Sequence, residues 1–244
     1  MASQQSPTAG EELPRPLGRP RATGGVPIGS PRDEIIAAAG RLFAERGYAH
    51  VSMSDIARAA GLQQSSLYYW FRKKELILQA TLAVNRVPLE FINRIGARSG
   101  SPALKLYRLV RFDTRQLCRA PCDVNELERL AEGQPDVFAG FWEDRQRLHD
   151  WVVTLVGAAV EEGQFVACDP DLVAVSVLSF DEGIQKRFRH QDQHGTGGAN
   201  PFSHAPRGAD ELADFAATTM LRALLRRPGD LARLQKQAAR CGDG

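Results

Sequence analysis

The stretch Val51 to Glu75, VSMSDIARAAGLQQSSLYYWFRKKE, constrains the fold of this chain more than any other. Read by period it is two short helices joined by a tight turn. Ser52 is placed to cap the first helix, and Asp55, three residues on, puts a negative charge in its first turn. Ile56, Ala57 and Ala60 form one apolar face, and Gly61 ends the helix where a positive φ is wanted. Leu62 fills the corner. In the second helix Leu67 and Phe71 stand four apart on the buried side. Small Ala57 lets the two helices cross closely, which is the arrangement of a helix-turn-helix.

At about 100° per residue, Ser65, Tyr68, Tyr69 and Arg72 fall away from Leu67 and Phe71, and Gln64 lies in the first turn. That surface carries an amide, a hydroxyl, phenols and a guanidinium, with no carboxylate. Gln pairs bidentately with adenine, Ser meets bases or phosphates, and Tyr and Arg hold phosphate. The candidate DNA-facing set is therefore Ser52, Gln63, Gln64, Ser65, Ser66, Tyr68 and Tyr69, with Lys74 beyond the second helix. At the start of the helix that follows, Lys74 and the backbone N-terminus are expected to meet one phosphate together.

Gly47-Tyr48, Ser52-Met53, Asp55-Ile56-Ala57, Ala60-Gly61-Leu62, Leu67-Tyr68, Phe71 and Lys74-Glu75-Leu76 occur in an order that resembles the signature of the TetR family of bacterial transcriptional regulators. The resemblance runs from Asp33 to Leu78. It implies an all-α homodimer with a small DNA-binding domain and a larger ligand-sensing domain. It also implies phosphate contacts by Tyr68 and Lys74. The chain departs from the family pattern at Gln63, where a capping Ser or Thr is usual, at Ser65, where Gly is common, and at Trp70.

Charge follows this division. Pro14 to Leu78 holds ten Lys or Arg against five Asp or Glu, whereas Gln79 onward holds 21 against 22. The positive excess sits on the DNA-binding part. No apolar run reaches transmembrane length, and the first residues lack the apolar core of a signal peptide, so a cytoplasmic protein with no membrane contact is expected. Cys118, Cys122, Cys168 and Cys241 are then reduced.

Residues 1–30, rich in Pro, Gly and Ser, are expected to be disordered. Arg19 and Arg21, in the piece GRPR, read either as an arm for the minor groove or as a solvated tail. Residues 31–78 form the expected DNA-binding domain. Its first helix opens at Pro31, buries Ile35, Ala39, Leu42 and Phe43, and closes at Gly47.

Residues 79–244 form the expected effector-binding and dimerisation domain. A helix from Lys73 to Ile95 should kink or break at Pro88. Further helices are expected over Ala103–Arg119, Asn125–Glu132, Pro135–Gly163, Leu172–Arg187 and Ala209–Leu225, with a last turn over Pro228–Ala239. Arg189–Gly208 reads as a loop. Phe91, Tyr107, Phe138, Phe141 and Trp142 read as core or as the wall of a ligand pocket, with Glu128, Glu132 and His149 as polar candidates beside it. Val173, Val177, Phe215 and Leu224 are expected at a four-helix dimer interface.

No partner Cys or His follows the cysteine pair Cys118/Cys122 at zinc spacing, so it reads as structural or incidental; His190 and His194, four apart with His204 nearby, read as a solvated loop or, as the alternative, a metal site. Nucleotide-binding, metalloprotease and serine-hydrolase motifs are lacking, and no cofactor is expected. The expected function is a regulator, by analogy a repressor, that binds a near-palindromic double-stranded DNA operator as a homodimer. A small, largely apolar effector would release it. Two alternatives are a DNA-binding dimer that senses nothing and an all-helical enzyme or carrier.

Overall fold

The computed structural model describes residues 30–120, 122–133, 135–136, 138–193 and 207–241. Among them the chain is all-helical, with one isolated antiparallel bridge between Phe165 and Leu225. The helices are α1 (Pro31–Arg46), α2 (Met53–Ala59), α3 (Gln64–Trp70), α4 (Lys74–Leu82), α5 (Arg86–Gly96), α6 (Pro102–Arg119), α7 (Val124–Gly133), α8 (Ala139–Glu161), α9 (Pro170–Gln193), α10 (Ala209–Leu224) and α11 (Asp230–Cys241). Residues Arg19 and Arg21 of the arm, and His194 and His204, lie outside the described residues.

Local chemistry fixes the N-terminal helices. Ser30 and Asp33 make a complete capping box at α1, as Ser52 and Asp55 do at α2. The turn after α2 is a Schellman motif. Gly61 has φ 65°, its N–H donates to Arg58 O at 3.1 Å, and Leu62 N–H donates to Ala57 O at 2.9 Å.

Three boundaries differ from the reading by pattern. The single helix expected over Lys73–Ile95 is two, α4 and α5, parted by residues 83–85. Pro88 then sits in the first turn of α5, where a missing N–H costs nothing. The carbonyl of Val84, which Pro88 cannot serve, accepts the Gln116 side-chain amide instead at 3.4 Å. Pro135 lies in a turn, and α8 opens only at Ala139. The expected loop at Arg189 is helical as far as Gln193. Arg189 helps to hold that last turn by donating to Ala120 O at 3.0 Å.

Two apolar cores result. One joins α1–α4 to Leu117, Cys122, Val124, Leu127, Phe138 and Phe141. The other joins α5, the first half of α6 and the middle of α8 to α9, α10 and α11. Helix α6 runs through the middle of the second, packed on α5, α8, α9, α10 and α11. Helix α7 touches α1, α8 and α9, and so connects the two ends of the molecule.

Candidate nucleic-acid interface

Helix α3 is anchored by Leu67 within it and by Phe71 at its C-cap. Leu67 and Phe71 are buried, at 0% and 4% exposure, against α1 and α2. Arg32 lies over the Phe71 ring at 5.4 Å and closes that edge. Everything else on α3 faces outward. Gln64, Ser65, Ser66, Tyr68, Tyr69 and Trp70 are all exposed, Tyr69 at 82%. Tyr69 and Trp70 meet edge to face at 5.4 Å. Gln63 caps the helix with its backbone and makes no side-chain capping bond, so its amide is left for another partner. Exposed Arg72 and Lys73 continue the surface into α4.

Two predicted DNA residues have prior engagements. The Ser52 hydroxyl donates to Asp55 Oδ2 at 2.5 Å and accepts from Asp55 N–H at 3.1 Å. These bonds, with the lowering they give Asp55, make Ser52 first of all the cap of α2. The Lys74 ammonium donates to Tyr48 O at 2.7 Å and Val51 O at 2.8 Å, 4.1 Å above the Tyr48 ring. It ties α4 to the loop before α2 and keeps one proton for a phosphate.

The predicted ligand residues do not share one wall. Phe91, stacked on Phe112 at 4.0 Å, and Tyr107 belong to the α6–α11 core. Phe138 and Phe141, with Trp142 against them, belong to the core below α1. His149 points to the start of α9, with Nε2 3.3 Å from Asp171. Glu132 is exposed.

Between the two cores lies a buried polar layer that pattern reading missed. It contains Asp113, Thr114 and Gln116 of α6, Asp144 and Arg145 of α8, and Asp181, Glu182 and Gln185 of α9. The one sequence signal was the halt of the apolar run of α9 at Asp181. Arg145 pairs with Glu182 and, at 3.1 Å, with Glu128 of α7. Burial raises Asp113 to about 6 and Glu182 to about 7, against the opposing pull of Arg145 on both. Asp181, fully buried, is held well above the usual carboxylate range by burial and then by the charge of Asp113. The Thr114 hydroxyl lies 2.8 Å from Val110 O and 2.6 Å from Asp181 Oδ1. One hydroxyl proton cannot serve both, so the second contact is a hydrogen bond when Asp181 is protonated and donates.

Gln185 is 0% exposed and clamps the corner between α6 and α7. Its amide N–H donates to Leu117 O at 2.8 Å and Cys122 O at 2.9 Å, and its carbonyl accepts from Val124 N–H at 2.9 Å. Cys122 in turn rests on α1, with Sγ 3.5 Å from Ile36 O. A Cβ at Gly40 would come 2.8 Å from that sulfur, so the corner and α1 are in close contact. Burial pushes the Cys118 and Cys122 thiols up to about 12, which leaves them protonated and unreactive.

Two short helices joined by a Schellman turn, the second presenting exposed amide, hydroxyl and phenol groups, have the form of a helix-turn-helix DNA-binding protein. The family model described as "Bacterial regulatory proteins, tetR family" matches residues 35–81. The chain is 41% identical over 166 residues to the transcriptional regulator TtgR of Pseudomonas putida, covering 64% of this chain and 79% of that one. It is 24% identical over 175 residues to the regulator EthR of Mycolicibacterium smegmatis, covering 70% and 78%. The crystal structure of AmtR from Mycobacterium smegmatis superposes with a TM-score of 0.63 at 28% identity, over 91% of this chain and 97% of that one. The chain belongs to the TetR family. It is a DNA-binding transcriptional regulator and not an enzyme.

Proposed function

We propose that this chain is a homodimeric repressor that reads a near-palindromic operator with α3 and leaves it when a small, largely apolar effector binds. The exposed polar face of α3 carries this reading. Gln64 and Ser65, at the start of the helix, are the base-reading residues. Gln63, Ser66 and Tyr69 flank them, and Tyr68 and the α4 N-terminus near Lys74 hold phosphate. Arg19 and Arg21 add contacts in the adjoining minor groove. Residues 31–78 thus do the reading, and residues 79–244 the sensing and dimerisation.

The dimer face proposed keeps Phe215 of the set read by pattern and replaces two of its members. Val177 and Leu224 are buried within the protomer, whereas Leu172, Val175 and Phe215 are 62%, 48% and 55% exposed. Phe180 packs near Phe215 across α9 and α10, with ring centroids 6.2 Å apart. An apolar stripe on two adjacent helices suits a second copy of the chain, and a two-fold pairing sets two α3 helices about one DNA turn apart.

Selection of bound duplexes from a random pool tests the reading. The expected product has two related half-sites whose centres lie about one helical turn apart. Sedimentation of Phe215→Glu at micromolar concentration should show monomers and half-site binding only. A single asymmetric site, or a dimer indifferent to Phe215→Glu, would remove this assembly.

A further inference from the structure

The polar layer lies where α6 and α8 pass from one apolar core to the other, and where α9 runs beside them. On α6 it falls between Val110 and Leu117, and on α8 between Phe141 and Leu148. On α9 it follows Leu178. Five carboxyl groups lie in or beside it, Asp113, Glu128, Asp144, Asp181 and Glu182; Asp144 is paired with Arg86 and Arg147, and Arg145 is the guanidinium that offsets Asp113 and Glu182. The charges that bear on Asp181 are those of Asp113 and Glu182, both of its own sign. Asp181 is 0% exposed, and its Oδ2 has no hydrogen-bond partner among the described residues. A buried carboxyl oxygen without a partner is costly, and the position calls for a donor or a cation.

We propose that this layer is the charge-reading part of the effector site, and that the effector is an organic cation: an amine, guanidine or quaternary ammonium on an apolar body. The proposal rests on the sensing role proposed above. An apolar body matches the apolar core on either side of the layer, and the positive centre matches the carboxyl oxygens. An anion is disfavoured because Arg145 is already paired with Glu128 and Glu182. A metal ion is disfavoured because the described residues contain no group of three or more His, Cys, Asp or Glu arranged to hold one. The Gln116 amide further occupies an Asp113 oxygen that a hard cation would need.

The layer also touches two of the contacts with the DNA-binding end. Gln116 donates to Asp113 at 2.9 Å and to Val84 O in the turn between α4 and α5. One helical turn along α9 from Asp181, Gln185 clamps the corner that rests on α1. Ionising the carboxyl groups around a bound cation changes the layer's hydrogen bonds, and those two contacts carry the change toward α3. The protons released pass to the buffer.

The test uses the full-length protein and arylmethyl-trimethylammonium ions (phenyl, naphthyl and biphenyl). Each is paired with the neutral isostere in which tert-butyl replaces trimethylammonium. Binding is measured by calorimetry near pH 6.5 in two buffers of different ionisation enthalpy, and by effect on operator affinity. At least one cation should bind tenfold or more above its isostere, release protons and weaken operator binding. In the double variant Asp181→Asn, Glu182→Gln that preference, read by calorimetry, should fall at least tenfold. Asp113→Asn, measured alone, should reduce the preference in a second background. Equal or tighter binding of the isosteres overturns the cation proposal and leaves the sensing reading standing. A preference that survives in both variant backgrounds overturns it too. No binding by any cation overturns it, and if no isostere binds either, the sensing reading loses its support as well.

Discussion

The two ends of the molecule treat polar groups in opposite ways. In α1–α4 they are outside: α3 buries two side chains and exposes an amide, hydroxyls and phenols. In α6–α9 a comparable number are inside, where burial holds three carboxyl groups above their ordinary range. Exposed polar groups cost the fold little and are available to a large, charged partner such as DNA. Buried ones must satisfy one another across four helices, so any change in their charge is felt as a change in shape.

Breaking the buried set should have the largest effect. Gln185→Ala strands two carbonyls and one N–H in the core, and should destabilise the chain by about 4 kcal/mol in denaturant unfolding. An effect under about 1 kcal/mol would mean that water replaces the clamp.

The charge of the layer comes next. Glu182 rises from the usual 4.5 to about 7 because burial penalises its ionised form. Its stabilising effect is complete below pH 4.5 and is lost as pH rises through about 7. That corresponds to ~3 kcal/mol. Glu182→Gln should flatten this decline and make the protein more stable than wild type at pH 8. Unfolding curves that stay parallel from pH 4.5 to 8 would show that Arg145 fully compensates the burial.

The exposed end should respond more weakly in stability. Ser52→Ala removes the cap of α2 and should cost about 1 kcal/mol. A larger fall in operator affinity than this destabilisation explains would give Ser52 a direct phosphate contact as well.

The sequence made one end far more legible than the other. Ser52, Asp55, Gly61, Leu67 and Phe71 act within a turn or two of where they stand, so spacing alone places them. The split at residues 83–85 was harder, because Pro88 acts back on the Val84 carbonyl and the substitute donor comes from Gln116, 32 residues further on. The polar layer left only the halt of the α9 apolar run at Asp181 as a trace, for the same reason. Asp181 answers to Thr114 and Asp113, and Gln185 to Leu117, Cys122 and Val124, all from distant parts of the chain. The aromatic residues Phe91 and Phe141 looked alike in pattern but belong to different cores, because which side of a helix meets which neighbour is set by the packing.

The most direct measurement is of operator affinity for wild type and Gln64→Ala against every single-base variant of the selected operator. The exposed amide of Gln64 should give about 1–3 kcal/mol of discrimination at one base pair of each half-site. The variant should lose discrimination at that position and keep it elsewhere. An equal loss of affinity for all sequences, with the base preferences unchanged, would contradict the claim that α3 reads the operator through Gln64.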